Sequence, residues 1–272
     1  LFSSSETHIL GELADEPNFK EAFEKGIDLH SFTAWNIWKD KMDIDPNLPM
    51  PEITRLVKKQ YGDTFRQYAK SIGFSLPYDT TGMGLGRALG VSTKVGDKYI
   101  EEYRELNKGI ALYMDKNKDF VMENGYIEGS YGERLYLHNA KGYNWRDNKR
   151  RKKNWDAIAE FRKATNFIMQ SDNAFLLYKG LISFNEEINK LGLDISLIAT
   201  IYDSIYIRVN KDIEDIVVWN LLKKHFEIKF FDMLMPIDIG IALNKDKTYS
   251  NRWGHLTDIR FEDLAEIKKI NS

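Results

Sequence analysis

Arg66, Lys70, Phe74 and Tyr78 recur at strict four-residue intervals in the segment RQYAKSIGFSLPY. On an α-helix four residues overshoot one turn by roughly 40°, so these side chains form one gently spiralling stripe about 18 Å long. Two cations lead it and two aromatics follow. A guanidinium presents a planar fork and an ammonium a point charge, both suited to a polyphosphate, while aromatic faces suit a sugar and a base. The stripe has the outline of a nucleotide. The same spacing also describes an amphipathic helix that buries Phe and Tyr while its cations snorkel to water. A second concentration of charge, Arg146, Lys149, Arg150, Arg151, Lys152 and Lys153, is flanked by Tyr143, Trp145 and Trp155. Phosphate contact and mere solvation are both open to it.

The elements that must position these groups are legible from turn formers and periodicity. Residues 16–44 read as helical, opening at Glu16-Pro17 and closing where turn formers gather near Asp43 to Pro46. A helix starting at Pro51 is broken by Gly62-Asp63, and the striped helix follows over 63–76 until Pro77 ends or kinks it and leaves Tyr78 at its mouth. Residues 92–119 carry a long helical pattern, and the aromatic alternation of GYIEGSYGERLYL predicts a hairpin turning near Gly129 to Gly132. Residues 139–154 are irregular, and helix returns from about Trp155 to Lys190. Two β-branched runs, LIATI and IYIRV, flank Tyr202-Asp203-Ser204 as a second hairpin. A helix near 211–226 and a strand near 228–242 follow. A helical block succeeded by helices and strands predicts an α+β architecture.

Composition bounds the rest. At 272 residues with 43% hydrophobic side chains, the chain can bury a sizeable core as one large domain or two ordinary ones. Its 39 basic and 41 acidic side chains leave a formal charge of −2, so any basic surface must be local. The absence of cysteine excludes disulfides, thiolate zinc sites and cysteine nucleophiles and fits a reducing compartment. The five histidines are scattered with no pair at zinc-ligand spacing. No run approaches the roughly 20 apolar residues of a membrane span, and LFSSSETHIL has neither the basic start nor the apolar core of a leader, so an intracellular soluble protein is expected.

The stripe matches motif B of the A-family DNA polymerases, Arg-x3-Lys-x3-Phe/Tyr-x3-Tyr, and further segments resemble that family in the right order. SSSETHILGELADEP and EAFEKGIDLHSFTA resemble the end of motif A and the helix after it. KYIEEYRELNKGI and NGYIEGSYGERLYL are similar to the segments following motif B. FRKATNFIMQSDNAFLLYKG resembles the segment that touches primer and template, and TIYDSIYIRV resembles motif C. The resemblance covers about residues 1–245, includes bacteriophage relatives, and implies a right-hand polymerase architecture lacking the thumb and the N-terminal palm. In it, residues 1–15 and 151–245 form a palm with an antiparallel sheet, residues 16–150 form mostly helical fingers, and 246–272 are a tail.

The same resemblance implies roles. Lys70 and Arg66 would hold the triphosphate, joined by His30 of Asp28-Leu29-His30; on its own His30 reads equally as a surface residue at a helix start. Phe74 and Tyr78 would face base and sugar, with Phe rather than Tyr at the third stripe position going with rejection of dideoxynucleotides. Glu6 would exclude the ribose 2′-hydroxyl. Arg162, Asn166 and Gln170, also spaced by four, would contact DNA near the primer end, as would Arg150 and Lys152; four-residue polar spacing also describes a solvated face. Asp203 would be catalytic as a Mg²⁺ ligand in a two-metal site, although Asp is also a common turn residue. Motif C reads Tyr202-Asp203-Ser204 where the family has His-Asp-Glu, and Leu1 stands where motif A carries its Asp. The implied function is Mg²⁺-dependent addition of deoxynucleoside triphosphates to a primer-template, in the cytoplasm of a bacterium or phage-infected host. An N-terminal segment or companion chain would complete the site. The alternative is a non-catalytic DNA-binding remnant.

Overall fold

The computed structural model describes residues 5–147, 154–250 and 256–271, and its chain divides into two compact units, Glu6–Asp172 and a second that runs from Asn173 to the C-terminus and takes in Ser5. The first is mostly helical and the second mixes helices with short antiparallel hairpins. That is the α+β character read from the sequence. No helix among the described residues is long and apolar enough to cross a membrane.

In the first unit, α1 (Ser5–Leu13) and α2 (Pro17–Glu24) precede α3 (Leu29–Trp38). The single helical block expected over 16–44 is thus two helices. Gly26 adopts φ 62°, a left-handed conformation that costs glycine nothing, and Asp28 then caps α3 by accepting the Ser31 N–H at 2.8 Å. Helix α4 (Met50–Gln60) carries Pro at its start, and α5 (Phe65–Ser75) is the striped helix. Leu76–Tyr78 tightens into a 3₁₀ turn at Pro77. The core here is centred on Trp38, with ring centroids 5.5 Å from Phe65, 6.1 Å from Tyr68 and 5.1 Å from Tyr99. Ile53, Val57, Ala69 and Ile72 are buried on α4 and α5, the faces set by their three- and four-residue spacing.

Helix α6 (Gly82–Leu89), which the sequence did not announce, is capped by the Thr81 hydroxyl and closed by Gly90. The long pattern over 92–119 is likewise two helices, α7 (Thr93–Leu106) and α8 (Lys108–Asn124), parted at the buried Asn107. Buried Glu16 caps α2 through Asn18 N–H and reaches the start of α8, accepting Gly109 N–H at 2.9 Å. One carboxylate thereby satisfies orphan donors at two helix N-termini. The hairpin β1 (Tyr126–Glu128) and β2 (Arg134–Tyr136) turns where expected. It packs through Ile127 into a core with Val121, Leu137, Phe161, Ala164 and Ile168. Helix α9 (Trp155–Lys190) spans the predicted limits and contributes residues to both units.

The second unit contains β3 (Ile195–Ile201) and β4 (Ser204–Val209), paired antiparallel around a Tyr202-Asp203 turn with an irregularity between Leu197 and Ala199. Helix α10 (Asp215–Phe226) packs on α9: Phe226 lies 5.8 Å from Phe184, and a Cβ at Gly180 would fall 2.6 Å from the Phe226 ring. The strand expected over 228–242 is three pieces, β5 (Lys229–Phe230), β6 (Met233–Leu234) and β7 (Ile239–Ala242). Phe231 turns the chain back at φ 50°, and Pro236, which cannot donate to a ladder, separates the last two. Residues beyond 246 are not a bare tail. There β8 (Leu256–Ile259) pairs with β7, and α11 (Asp263–Asn271) buries Leu264 and Ile267 with Leu243 and Ile259.

Candidate functional site

The four-residue spacing on α5 does place one stripe, and α3 supplies its neighbour. The His30 ring stands 5.6 Å from the Phe74 ring, and Lys70 Nζ lies 5.8 Å from the centre of the same ring. Arg66 is held by a bidentate pair with Asp28, Nε to Oδ1 at 2.9 Å and Nη2 to Oδ2 at 2.8 Å. His30, Arg66, Lys70 and Phe74 thus share one surface on two helices. Phe74 is 38% and Tyr78 44% exposed, so the purely buried-face reading of the stripe does not hold. Among the described residues Lys70 makes no ion pair, whereas the Arg66 charge is already engaged.

Electrostatics follow from this packing. Burial works to raise the Asp28 carboxyl, but its bonds from Arg66 and Ser31 outweigh that and hold it well below the usual carboxylate range. Burial pushes His30 down to about 4, aided by the Arg66 and Lys70 charges and only partly opposed by Asp28. His30 is therefore neutral at pH 7 and able to donate from one ring nitrogen and accept at the other. The unfolded chain takes up a proton on this histidine as pH falls through about 6.5, while the folded protein resists until about 4. Stability is therefore expected to drop across that window, by up to about 3 kcal/mol from this group. The Asp28 contribution is lost only at lower pH, as that carboxylate protonates. Urea unfolding of the parent and His30→Gln between pH 7 and 4.5 checks the histidine effect: the stability gap between them should change with pH, and parallel curves would refute it.

The far end of the stripe meets residues distant in sequence. Gln170 Nε2 donates to Glu6 Oε1 at 2.6 Å, joining α9 to α1. Burial and the Glu6 charge raise the Tyr78 hydroxyl, and a hydrogen bond with Gln170 partly offsets them. Just beyond, Asp79 takes a left-handed φ of 53° and accepts from Lys118 Nζ at 2.5 Å. Lys118, its side chain only 8% exposed, also lies 4.8 Å over the Trp145 ring. This lock on the turn after Tyr78 was not read from the sequence, though an Asp following Pro77-Tyr78 is a turn signal. A third contact shapes the stripe from behind: a Cβ at Gly73 would lie 3.4 Å from the hydroxyl of buried Tyr103.

On α9 Arg162 is exposed, while Asn166 is half-buried with Oδ1 lacking a hydrogen-bond partner among the described residues. In the basic cluster, Arg146 pairs with Asp119 and stacks 4.2 Å over Trp145. Lys149, Arg150, Arg151, Lys152 and Lys153 lie outside the described residues, as do Leu1 and Ser3. Asp203 belongs to the second unit, half-buried in the β3–β4 turn with the Ser204 hydroxyl 3.5 Å from Oδ1. Among the described residues no three His, Cys, Asp or Glu side chains converge as metal ligands. These residues do not by themselves fit a two-metal site, which needs bridging carboxylates.

Comparison with known proteins agrees with the family resemblance. DNA polymerase I of Pseudomonas aeruginosa is 25% identical over 248 residues, covering 91% of this chain and 24% of that protein. DNA polymerase I of Bacillus caldotenax is 26% identical over 212 residues, 78% of this chain and 21% of that protein. The chain thus spans about a quarter or less of the curated relatives it matches. Among solved structures, the POL domain of Pol1 from M. smegmatis, in complex with DNA primer-template and dNTP, superposes with a TM-score of 0.70 at 23% identity, over 86% of this chain and 37% of that one. It shares the fold. The profile of DNA polymerase family A matches residues 2–247, and the chain belongs to that family.

Proposed function

We propose that this chain forms the fingers and the C-terminal palm of a DNA-directed DNA polymerase, which adds deoxynucleotides to the 3′ end of a primer paired to a template. The observation that carries the reading is the convergence of His30, Arg66, Lys70 and Phe74 on one face of α3 and α5. Phosphoryl transfer asks the protein mainly to position reactants and to place positive charge where negative charge develops. Lys70 supplies an ammonium with no competing carboxylate among the described residues, Arg66 supplies directed N–H donors, and neutral His30 adds a hydrogen bond. Phe74 offers a face to the base and sugar. Glu6, held by Gln170 and close enough for its charge to raise the Tyr78 hydroxyl, would crowd a 2′-hydroxyl. Arg162, Asn166 and Gln170 contact the duplex near the primer end, and Arg150 and Lys152 contact its phosphates.

Palm residues are assigned as 1–15 and 151–245, with fingers over 16–150. Asp203 provides one carboxylate for Mg²⁺, and the other comes from an N-terminal segment or companion chain. Bound there, the metal would stabilise the attacking and leaving oxygens. The enzyme would work in the cytoplasm of a bacterium or phage-infected cell. The lack of converging ligands around Asp203 among the described residues favours one second reading, a DNA-binding remnant without catalysis.

Template-directed incorporation by the active polymerase that contains this chain separates the two. Within that assay, Phe74→Tyr is expected to relax discrimination against dideoxynucleotides, because in the family Phe rather than Tyr at this stripe position goes with their rejection. Competition between deoxy and dideoxy substrates measures it, and an unchanged ratio would count against the assignment of Phe74.

A further inference from the structure

The Arg66–Asp28 pair leaves the guanidinium half used. Nε and Nη2 spend one N–H each on the two oxygens of Asp28, and among the described residues Nη1 with the second proton of Nη2 remain as a parallel pair on the adjacent edge. A phosphate fits that edge in the same bidentate manner. Asp28 Oδ1 also accepts the Ser31 N–H at 2.8 Å, so the carboxylate that grips Arg66 is fixed to the first turn of α3, the turn that carries His30. Both partners of the pair are mostly buried, with side chains 20% and 24% exposed, which limits screening and holds the fork in one plane.

We propose that Asp28 is a positioning residue for the nucleotide: anchored as the cap of α3, it holds one edge of Arg66 so that the other edge, together with His30, faces the triphosphate. This rests on the polymerase reading above and goes beyond it by assigning a role to a residue that touches no substrate. The two cations of the stripe then divide the work. Lys70, without a carboxylate partner among the described residues, supplies net charge. Arg66, partly neutralised, supplies direction. A free arginine would lose rotamer freedom on binding, and the Asp28 clamp removes part of that loss beforehand. The opposing effect is that Asp28 weakens the attraction of Arg66 for phosphate, and the sign of one measurement decides between them.

The experiment uses Asp28→Asn, which keeps an oxygen for the Ser31 N–H and so preserves the cap, but replaces the other oxygen by a donor that cannot accept from Arg66. In the active polymerase, KM for a deoxynucleoside triphosphate is expected to rise about tenfold, with a smaller change in kcat and no change in Kd for primer-template. In an Arg66→Ala background the same substitution should add nothing, because the residue it acts through is gone. A fall in KM would show that Asp28 competes with phosphate and would overturn the proposal. An unchanged KM, or an equal rise in both backgrounds, would do the same, the latter marking a merely structural cap. Saturable incorporation by the parent enzyme is required by the polymerase reading alone, so its absence is a failure of that reading and is told apart from a failure of Asp28.

Discussion

Lys70→Ala is expected to depress single-turnover incorporation by on the order of 10²-fold or more, with little change in DNA affinity. The size follows from removing a cation that meets negative charge developing on a phosphoryl group in a partly desolvated site, a loss of several kcal/mol. The structure makes this substitution a clean one. The Lys70 ammonium faces the Phe74 ring at 5.8 Å and has no carboxylate partner among the described residues, so no buried charge is orphaned. Arg66→Ala differs, since it strands the carboxylate of Asp28 and should cost stability as well as activity. Rapid-quench incorporation, paired with a denaturation curve, separates the two variants. A Lys70→Ala enzyme with parent-like single-turnover rates would remove α5 from the nucleotide site.

Asp203→Ala in the complete enzyme should abolish synthesis, on the order of 10³-fold or more, because Asp203 would help hold the Mg²⁺ whose positive charge offsets the charge of the transition state. The purified 272-residue chain, given Mg²⁺, primer-template and all four deoxynucleotides, should extend nothing until a segment carrying a second carboxylate is supplied, since no set of metal ligands converges among the described residues. The basis is local. Asp203 sits in a two-residue turn beside Tyr202, which is almost fully exposed and holds a left-handed φ of 53°. A bulky residue pays roughly 1 kcal/mol for that conformation, and such strain is more often kept at functional turns than elsewhere. Since the Ser204 hydroxyl reaches Asp203 Oδ1 only at 3.5 Å, a long hydrogen bond, replacing Asp203 should leave folding intact. Robust synthesis by the chain alone that disappears with Asp203→Ala would overturn the requirement for a companion segment. Synthesis by the complete enzyme that survives Asp203→Ala would overturn the metal role.

What could be read from the residues alone was whatever depends on neighbours along the chain. The stripe of α5, the limits of α9, and the hairpins around Gly129 to Gly132 and Tyr202-Asp203 all follow from short-range periodicity and turn chemistry, and all are present. Two long helical patterns were each broken, over residues 25–28 around Gly26 and at the single residue Asn107, because amphipathic spacing survives a short interruption while the backbone does not. Strand β8 and helix α11 lay outside the predicted elements, since β8 is defined by its partner β7 more than by its own four residues.

The site divides in the same way. Residue type and spacing pointed to phosphate and base, but only folding decided which cations are free. Asp28 reaches Arg66 across 38 residues and Gln170 reaches Glu6 across 164. No periodicity in the sequence encodes such pairings, because helix packing and burial, acting on the whole core at once, choose which carboxylate meets which donor. Tertiary structure thereby left Lys70 as the stripe's cation without a carboxylate partner among the described residues and clamped Arg66 on Asp28.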